Sequence, residues 1–363
     1  MRAFPLVALV CAAAILAPSA QRKKKKEEET QTLQVPKDLP AAAIGDTRHL
    51  TFLVTPLSAK GLLTQQVHEA LKALAHEAGG ETVLHVRAFT AGSGDLRRVR
   101  DLVSEFFTER HQPLPSLSLI QTGGLPMEGA QVVLEAAAAG KKESAPNGLA
   151  FLSAQMASAD SPTDPVPPLT TKALAGLRES VKAAGLDAAD VARVTCFFSS
   201  LDNIDASRKL VEAEYPHAGL NYVQPTRAPE HALAACEAVG RLRQAPTGAM
   251  ARMASDDGQS SVAFVVAPHV VFTGTQNSFG YQEQDTRLAL GRLQKALEQA
   301  GASMRDAACV HYYPLSSGIA TQIRKVRPDF FDMTHPPAGA LLLFEGLTSM
   351  DAGFAVDAVA AKE

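Results

Sequence analysis

The stretch GLDAADVARVTCFF, Gly185 to Phe198, reads as the end of an amphipathic helix, a short turn and then a β-strand. The same grammar recurs in GASMRDAACVHYY, Gly301 to Tyr313, and in more worn form in GGETVLHVRAF, Gly79 to Phe89. If Val86, Val194 and Val310 are equivalent strand positions, the spacings are 108 and 116 residues. Solenoid repeats run to only about 20–50 residues, so the pattern predicts three tandem domains of one fold.

The segments around each copy follow one order: strand, helix, strand, helix, strand, strand. In the first unit, HLTFLVT leads to a helix with Leu63, Val67, Leu71 and Leu74 at helical spacing, which Gly79 and Gly80 stop. The strand TVLHVRAFT follows, then DLRRVRDLVSEFFTE, which Asp95 is placed to cap, and then SLSLIQ and AQVVLEAAA. The second unit runs from the strand GLAFLSAQ through a Pro-rich insert and a helix carrying Leu174, Leu177 and Val181. After its turn and strand come IDASRKLVEAEY, GLNYVQ and ALAACEAVGRL. The third opens on VAFVVAPHVVFTGTQ, read as a hairpin, and closes on two strands, GALLLFEG and FAVDAVAA. The boundaries are 46–140, 145–243 and 260–361, with a linker at 244–259.

Ahead of these units, Arg2, the apolar run Pro5–Ala17 and the small residues before Gln21 outline a secretory signal peptide over 1–20. The apolar run is short for a bilayer span of about 20 residues, so no transmembrane segment is expected in the mature chain. Residues 21–45 open with a basic block followed by an acidic one and read as a charged flexible leader. The expected location is secreted or periplasmic. A net charge of −3 offers no field for nucleic acid, and no nucleic-acid partner is expected. Beyond Cys11, only Cys196, Cys236 and Cys309 remain, an odd number without metal spacing, and they read as buried thiols.

In the third unit GTQ (Gly274–Gln276), a long helix ending in Ala300-Gly301, and the strand before VHYY resemble the Rid or YjgF-like superfamily, also called L-PSP endoribonuclease-like. In the second unit SAQ (Ser153–Gln155), DVARVTCFF and ACEAV match in the same order, and the first unit supplies Leu125-Pro126 and LEAAAA. The resemblance implies an α+β, chorismate-mutase-like fold, a mixed sheet with two helices on one face. It also implies that three such units form an intramolecular pseudo-trimer. A sheet covered on one face needs a partner for the other, and a tethered partner is held at high effective concentration.

Many members of the family are imine or enamine deaminases, and the resemblance implies two functional positions. One is an arginine eight residues before the Leu of the Leu-Pro pair, whose guanidinium fork pairs with a substrate carboxylate. Leu117, Leu220 and Gly339 stand there. The other is a last-strand glutamate, aligned with Val133, Ala235 and Ala355. Glu135, Glu237 and Asp357 fall two residues later, on the same strand face, where they read as polar contacts between units. No catalytic residue is assigned and no metal or cofactor is expected: AGSGDLR lacks the third glycine of a dinucleotide fingerprint, and His269, His311 and His335 lack metal spacing. Tyr222, Gln224 and Glu237 are the candidate ligand-binding residues of a cleft in the second unit. The favoured function is association, as a homo-oligomer, a filament or a binding scaffold. The alternative is a deaminase-like hydrolase or small-molecule binder with a remodelled inter-domain cleft.

Overall fold

The computed structural model describes residues 39–45, 50–92, 95–139, 148–227, 229–243, 250–254, 261–265 and 270–361. The signal-peptide reading and most of the leader lie outside them. Three sheets form in succession. Strand β1 (Ala42–Gly45) precedes the first repeat, which comprises β2 (Leu50–Val54), α1 (Leu63–Glu77), β3 (Thr82–Ala91), α2 (Leu96–Glu109), β4 (Ser116–Thr122) and β5 (Val132–Ala139). The second repeat is β6 (Leu149–Ser158), α3 (Val166–Ala183), β7 (Val191–Phe198), α4 (Ile204–Glu214), β8 (Gly219–Gln224) and β9 (Leu233–Arg241). In the third, β10 (Met250–Ala254) and β11 (Ser261–Val265) are followed by β12 (Val270–Thr273), β13 (Gln276–Phe279) and α5 (Glu283–Gln299). Then come β14 (Ala307–Pro314), α6 (Ser317–Val326), β15 (Gly346–Leu347) and β16 (Ala352–Ala361).

The repeated turn has a local cause. Gly185 and Gly301 end α3 and α5 in the left-handed region, at φ 74° and 78°, where a Cβ is disfavoured. In both copies a single 3₁₀ turn follows, held by reciprocal side-chain caps, Asp187 with Asp190 and Ser303 with Asp306. In the worn first copy two consecutive left-handed glycines, Gly79 and Gly80, take its place. Asp95 caps α2 as its sequence position predicts, accepting from the backbone N–H groups of Arg97 and Arg98.

Within each repeat the central strand pairs antiparallel with the last: Val86 lies opposite Ala136, Val194 opposite Ala238 and Val310 opposite Ala358. The three valines are therefore equivalent. Each of these ladders also has a bulge at the same place, between Val83 and His85, Val191 and Arg193, and Ala307 and Cys309.

Helices cover one face of each sheet and enclose three separate apolar cores. The opposite faces meet one another in two further clusters that draw on all three repeats. The contacts run cyclically, with β4 beside β6, β8 beside β11 and β12, and β14 beside β2. The described residues form one compact unit, an intramolecular pseudo-trimer of α+β repeats.

Three readings need correction. The end of the leader is not free, because Ala42–Gly45 pairs with Leu149–Leu152 as an added edge strand; its residues are apolar, unlike the charged blocks before them. The linker at 244–259 contains β10, which pairs with β11. GALLLFEG is not a regular strand: the chain touches β14 through isolated bridges, Cys309 to Ala338 just before this stretch and Tyr312 to Leu341 within it, then contributes β15 to the second repeat's sheet beside β8. A side chain at Gly339 would collide with the carbonyl oxygen of Val310, so chain and strand come closer there than a regular ladder allows.

Candidate functional site

On the inward faces, equivalent residues form layers along the pseudo-threefold axis. Phe89, Phe197 and Tyr313 lie opposite Val133, Ala235 and Ala355 in an apolar layer that Phe344 closes. Next come Arg87, Thr195 and His311, opposite Glu135, Glu237 and Asp357. Then come His85, Arg193 and Cys309, opposite Ala137, Val239 and Val359. Strand alternation sends every second residue inward, so the polar layers follow directly from the register.

The charges join neighbouring repeats in a cycle. Arg87 holds Glu135 of its own repeat at 2.9 Å and also binds Glu237 of the second. Arg193 Nη2 of the second repeat lies 2.8 Å from Asp357 Oδ1 of the third. His311 of the third binds Asp357 at 2.8 Å and approaches Glu135 of the first at 3.8 Å. Tyr313 donates to Asp357 Oδ2 at 2.7 Å, and His85 stands 3.6 Å from Glu237 with its other ring nitrogen 2.8 Å from Ser116 Oγ. The reading of Glu135, Glu237 and Asp357 as contacts between units matches this arrangement.

All these ionic side chains are buried, and an unpaired charge there would be severely penalised. Burial penalises the Glu237 carboxylate, yet Arg87 and His85 hold it well below the usual range. Burial likewise opposes the Asp357 charge, and Arg193, His311 and Tyr313 bring it down to about 2. For His311, burial disfavours the cation, but Cys309 and Asp357 outweigh both that and the opposing Arg193, so its pKa is pushed up to about 9. With His311 protonated, the cations Arg87, Arg193 and His311 match the three carboxylates.

A cavity of about 50 Å³ opens in these layers, lined by Arg87, Arg193, Thr195, Glu237, Cys309 and His311 together with apolar side chains. By contrast, the crevice between the first and second repeats is about 10 Å³ and largely apolar, with Leu119, Ile120, Phe197 and Ala235 among its walls. Leu117 and Leu220 lie in the cores beneath the helices of their own repeats. Among the described residues no His, Cys, Asp and Glu group has a metal-holding arrangement, and no helix is long and apolar enough to cross a membrane.

The three predicted ligand-binding residues do not converge. Tyr222 sits with Leu220 in the helix-side core of the second repeat, its ring stacked 6.3 Å from Phe198. Glu237 is on the axial face of the same sheet, because β9 places it one residue from Cys236, which packs in the helix-side core. Gln224 lies at the end of β8, its side-chain amide donating to the carbonyls of Ser199 and Thr226 while its backbone carbonyl accepts from Glu345 N–H. The reading of all cysteines as free thiols is also corrected: Cys196 and Cys236, direct partners across β7 and β9, form a disulfide, and Cys309 is the free one among the described residues. The axial basic residues were missed. Their signal was available: equivalent strand positions two residues apart carry His85 and Arg87, Arg193 and Thr195, and Cys309 and His311.

Neither protein-family models nor curated protein sequences match this chain. Among solved structures, a chorismatase crystal structure is similar over 86% of this chain and 98% of its own, at 12% identity and a TM-score of 0.55. A YjgF-family member from Mycobacterium tuberculosis, 21% identical, covers 31% of this chain and 100% of its own, with a TM-score of 0.28. Another from Neisseria meningitidis, 17% identical, covers 28% of this chain and 85% of its own, with a TM-score of 0.25. The likeness to the chorismatase shows the fold alone, α+β repeats in series along one chain.

Proposed function

We propose that this is a catalytically degenerate, exported Rid-like protein that works by association, binding further copies of itself in a homo-oligomer or filament and serving as a scaffold. The observation that carries this reading is the fate of the two deaminase positions. Val133, Ala235 and Ala355 are buried in one apolar cluster, Leu117 and Leu220 in helix-side cores, and Gly339 lies against a backbone carbonyl. A carboxylate substrate entering there would find no guanidinium at the first position to pair with and no carboxylate at the second to activate water. The likeness to chorismatase supports the fold and not its reaction.

Self-association draws on a patch in the third repeat. Phe279 and Tyr281 are 40% and 55% exposed, and Met350 is 98% exposed on the segment that bonds back to Gly280 through Asp351. Exposed apolar side chains grouped in this way mark contact surfaces. Sedimentation velocity and negative-stain imaging across a wide concentration range should reveal species larger than the 38.3 kDa chain. A sharply monomeric protein throughout would overturn the assembly reading. Mixing the protein with enzymatically generated 2-aminoacrylate should release ammonia no faster than the spontaneous rate; clear acceleration would favour the hydrolase instead.

A further inference from the structure

The axial layers contain a constellation that neither the deaminase positions nor the assembly reading uses. Cys309 Sγ lies 3.7 Å from His311 Nε2, and His311 Nδ1 lies 2.8 Å from Asp357 Oδ1. A sulfur, an imidazole and a carboxylate in this order form a proton relay: the carboxylate orients the ring, and the far nitrogen faces the nucleophile. Arg193 fixes the carboxylate from one side and the Tyr313 hydroxyl from the other. The equivalent positions of Cys309 are His85 and Arg193, so among the three repeats only the third supplies a nucleophile there.

A second observation points to a ligand. Thr195 and Arg193 line the same cavity as Cys309, each at most 4% exposed, and Thr195 Oγ1 and Arg193 Nε have no hydrogen-bond partner. Buried polar atoms without partners are uncommon and call for an occupant. Together they offer donors and, through the hydroxyl, an acceptor. The cavity's size, about 50 Å³, is room for a few water-sized groups at about 10–15 Å³ each, and Phe151 and Phe272 form apolar parts of its wall. Its occupant must be small and able both to give and to accept hydrogen bonds.

We propose that Cys309, His311 and Asp357 form a thiol site that reacts with hydrogen peroxide bound between Thr195 and Arg193. The sulfur attacks one peroxide oxygen, an S–O bond forms and the O–O bond breaks. His311 Nε2–H gives its proton to the departing oxygen, which leaves as water, and the thiol proton then replaces it on Nε2. Sulfur is oxidised by two electrons to the sulfenic acid and the peroxide is reduced, so Cys–SH and H₂O₂ give Cys–SOH and H₂O. Cys196 and Cys236 are already joined to each other on the helix-side face, and no other free cysteine is found among the described residues. The site therefore fires once per oxidation and acts as a sensor of peroxide, not as a multiple-turnover peroxidase.

The test exposes the full chain, its disulfide intact, to peroxide for a timed interval, removes the peroxide with catalase, and only then unfolds the chain for a dimedone-type sulfenate trap and peptide mass mapping, which separates Cys309 from Cys11. Hydrogen peroxide should label Cys309 in the folded protein faster than in the same chain unfolded in urea, while cumene hydroperoxide leaves it unlabelled. Thr195→Val keeps the side-chain volume and removes the hydroxyl, and should slow labelling about tenfold, the scale of one lost hydrogen bond. Slower labelling in the folded than in the unfolded chain, or equal labelling by both peroxides, would overturn the proposal. So would a folded Thr195→Val protein that reacts at the unchanged rate. The comparison of peroxides and of folded with unfolded chain needs no variant.

Discussion

Arg87 connects two carboxylates from different repeats while its guanidinium lies 6.0 Å from the Phe89 ring centroid and 5.8 Å from that of Phe197. Removing it would leave Glu135 and Glu237 buried without their main cation. Arg87→Leu should therefore destabilise the protein by about 3–5 kcal/mol in urea denaturation; a loss within 0.5 kcal/mol would mean that the carboxylates are solvated in solution. The pH dependence has two limbs. The pKa of His311, raised to about 9, contributes stability that is complete below the unfolded value of about 6.5 and fades as pH rises through 9. The pKa of Asp357, lowered to about 2, contributes stability present above about pH 4 and lost as pH falls through 2. Stability from this cluster should thus be greatest between about pH 4 and 6.5 and decline by about 3 kcal/mol toward pH 9. Thermal denaturation of His311→Gln should show a flatter alkaline limb; an unchanged limb would assign the decline to other groups.

At the scale of elements, the Cys196–Cys236 bridge ties β7 to β9, spanning a sequence separation of 40 residues. Closing a loop of that length stabilises by about 4 kcal/mol in the chain-entropy model, and measured values commonly run 2–4. Denaturation with and without reductant should differ by that amount, while intact mass under non-reducing conditions should be 2 Da below the fully thiol form, about two hydrogens. Equal stability would mean that the bridge does not form. The bridge was hidden in the sequence because Cys196 and Cys236 are brought opposite each other by long-range register, which spacing alone does not encode. The repeat was legible because glycine-terminated helices and β-strand runs are local signals, and Val86, Val194 and Val310 did prove equivalent. The separation of Tyr222 from Glu237 was less so, since they belong to β8 and β9 and show opposite faces of one sheet. GALLLFEG has strand composition but lacks a ladder, because the close approach at Gly339 and the crossing to β8 are tertiary features.

For the whole molecule, the cyclic ion pairs occupy the inward faces of all three sheets, so assembly must use the outer surface. In a free-standing trimer of identical subunits the outer surface would repeat three times. Here the repeats have diverged: the position of Phe279 on β13 corresponds to Ser158 at the end of β6, through the matching pairs Gln276 to Val356 and Gln155 to Cys236. The exposed Phe279 ring of the third repeat therefore has no counterpart in the second. A patch present once per chain that meets an unlike surface on the next copy gives a head-to-tail contact, which closes into a ring or continues as a filament. Tyr281→Ser combined with Met350→Ser changes two exposed side chains outside the cores and should leave thermal stability within about 0.5 kcal/mol. The same variant should weaken self-association by at least about tenfold, since apolar and aromatic anchors carry most of an interface's free energy. Sedimentation velocity on both proteins reads this directly: assemblies that persist unchanged in the variant would move the contact elsewhere on the outer surface, and loss of assembly with unchanged stability would place it on this patch.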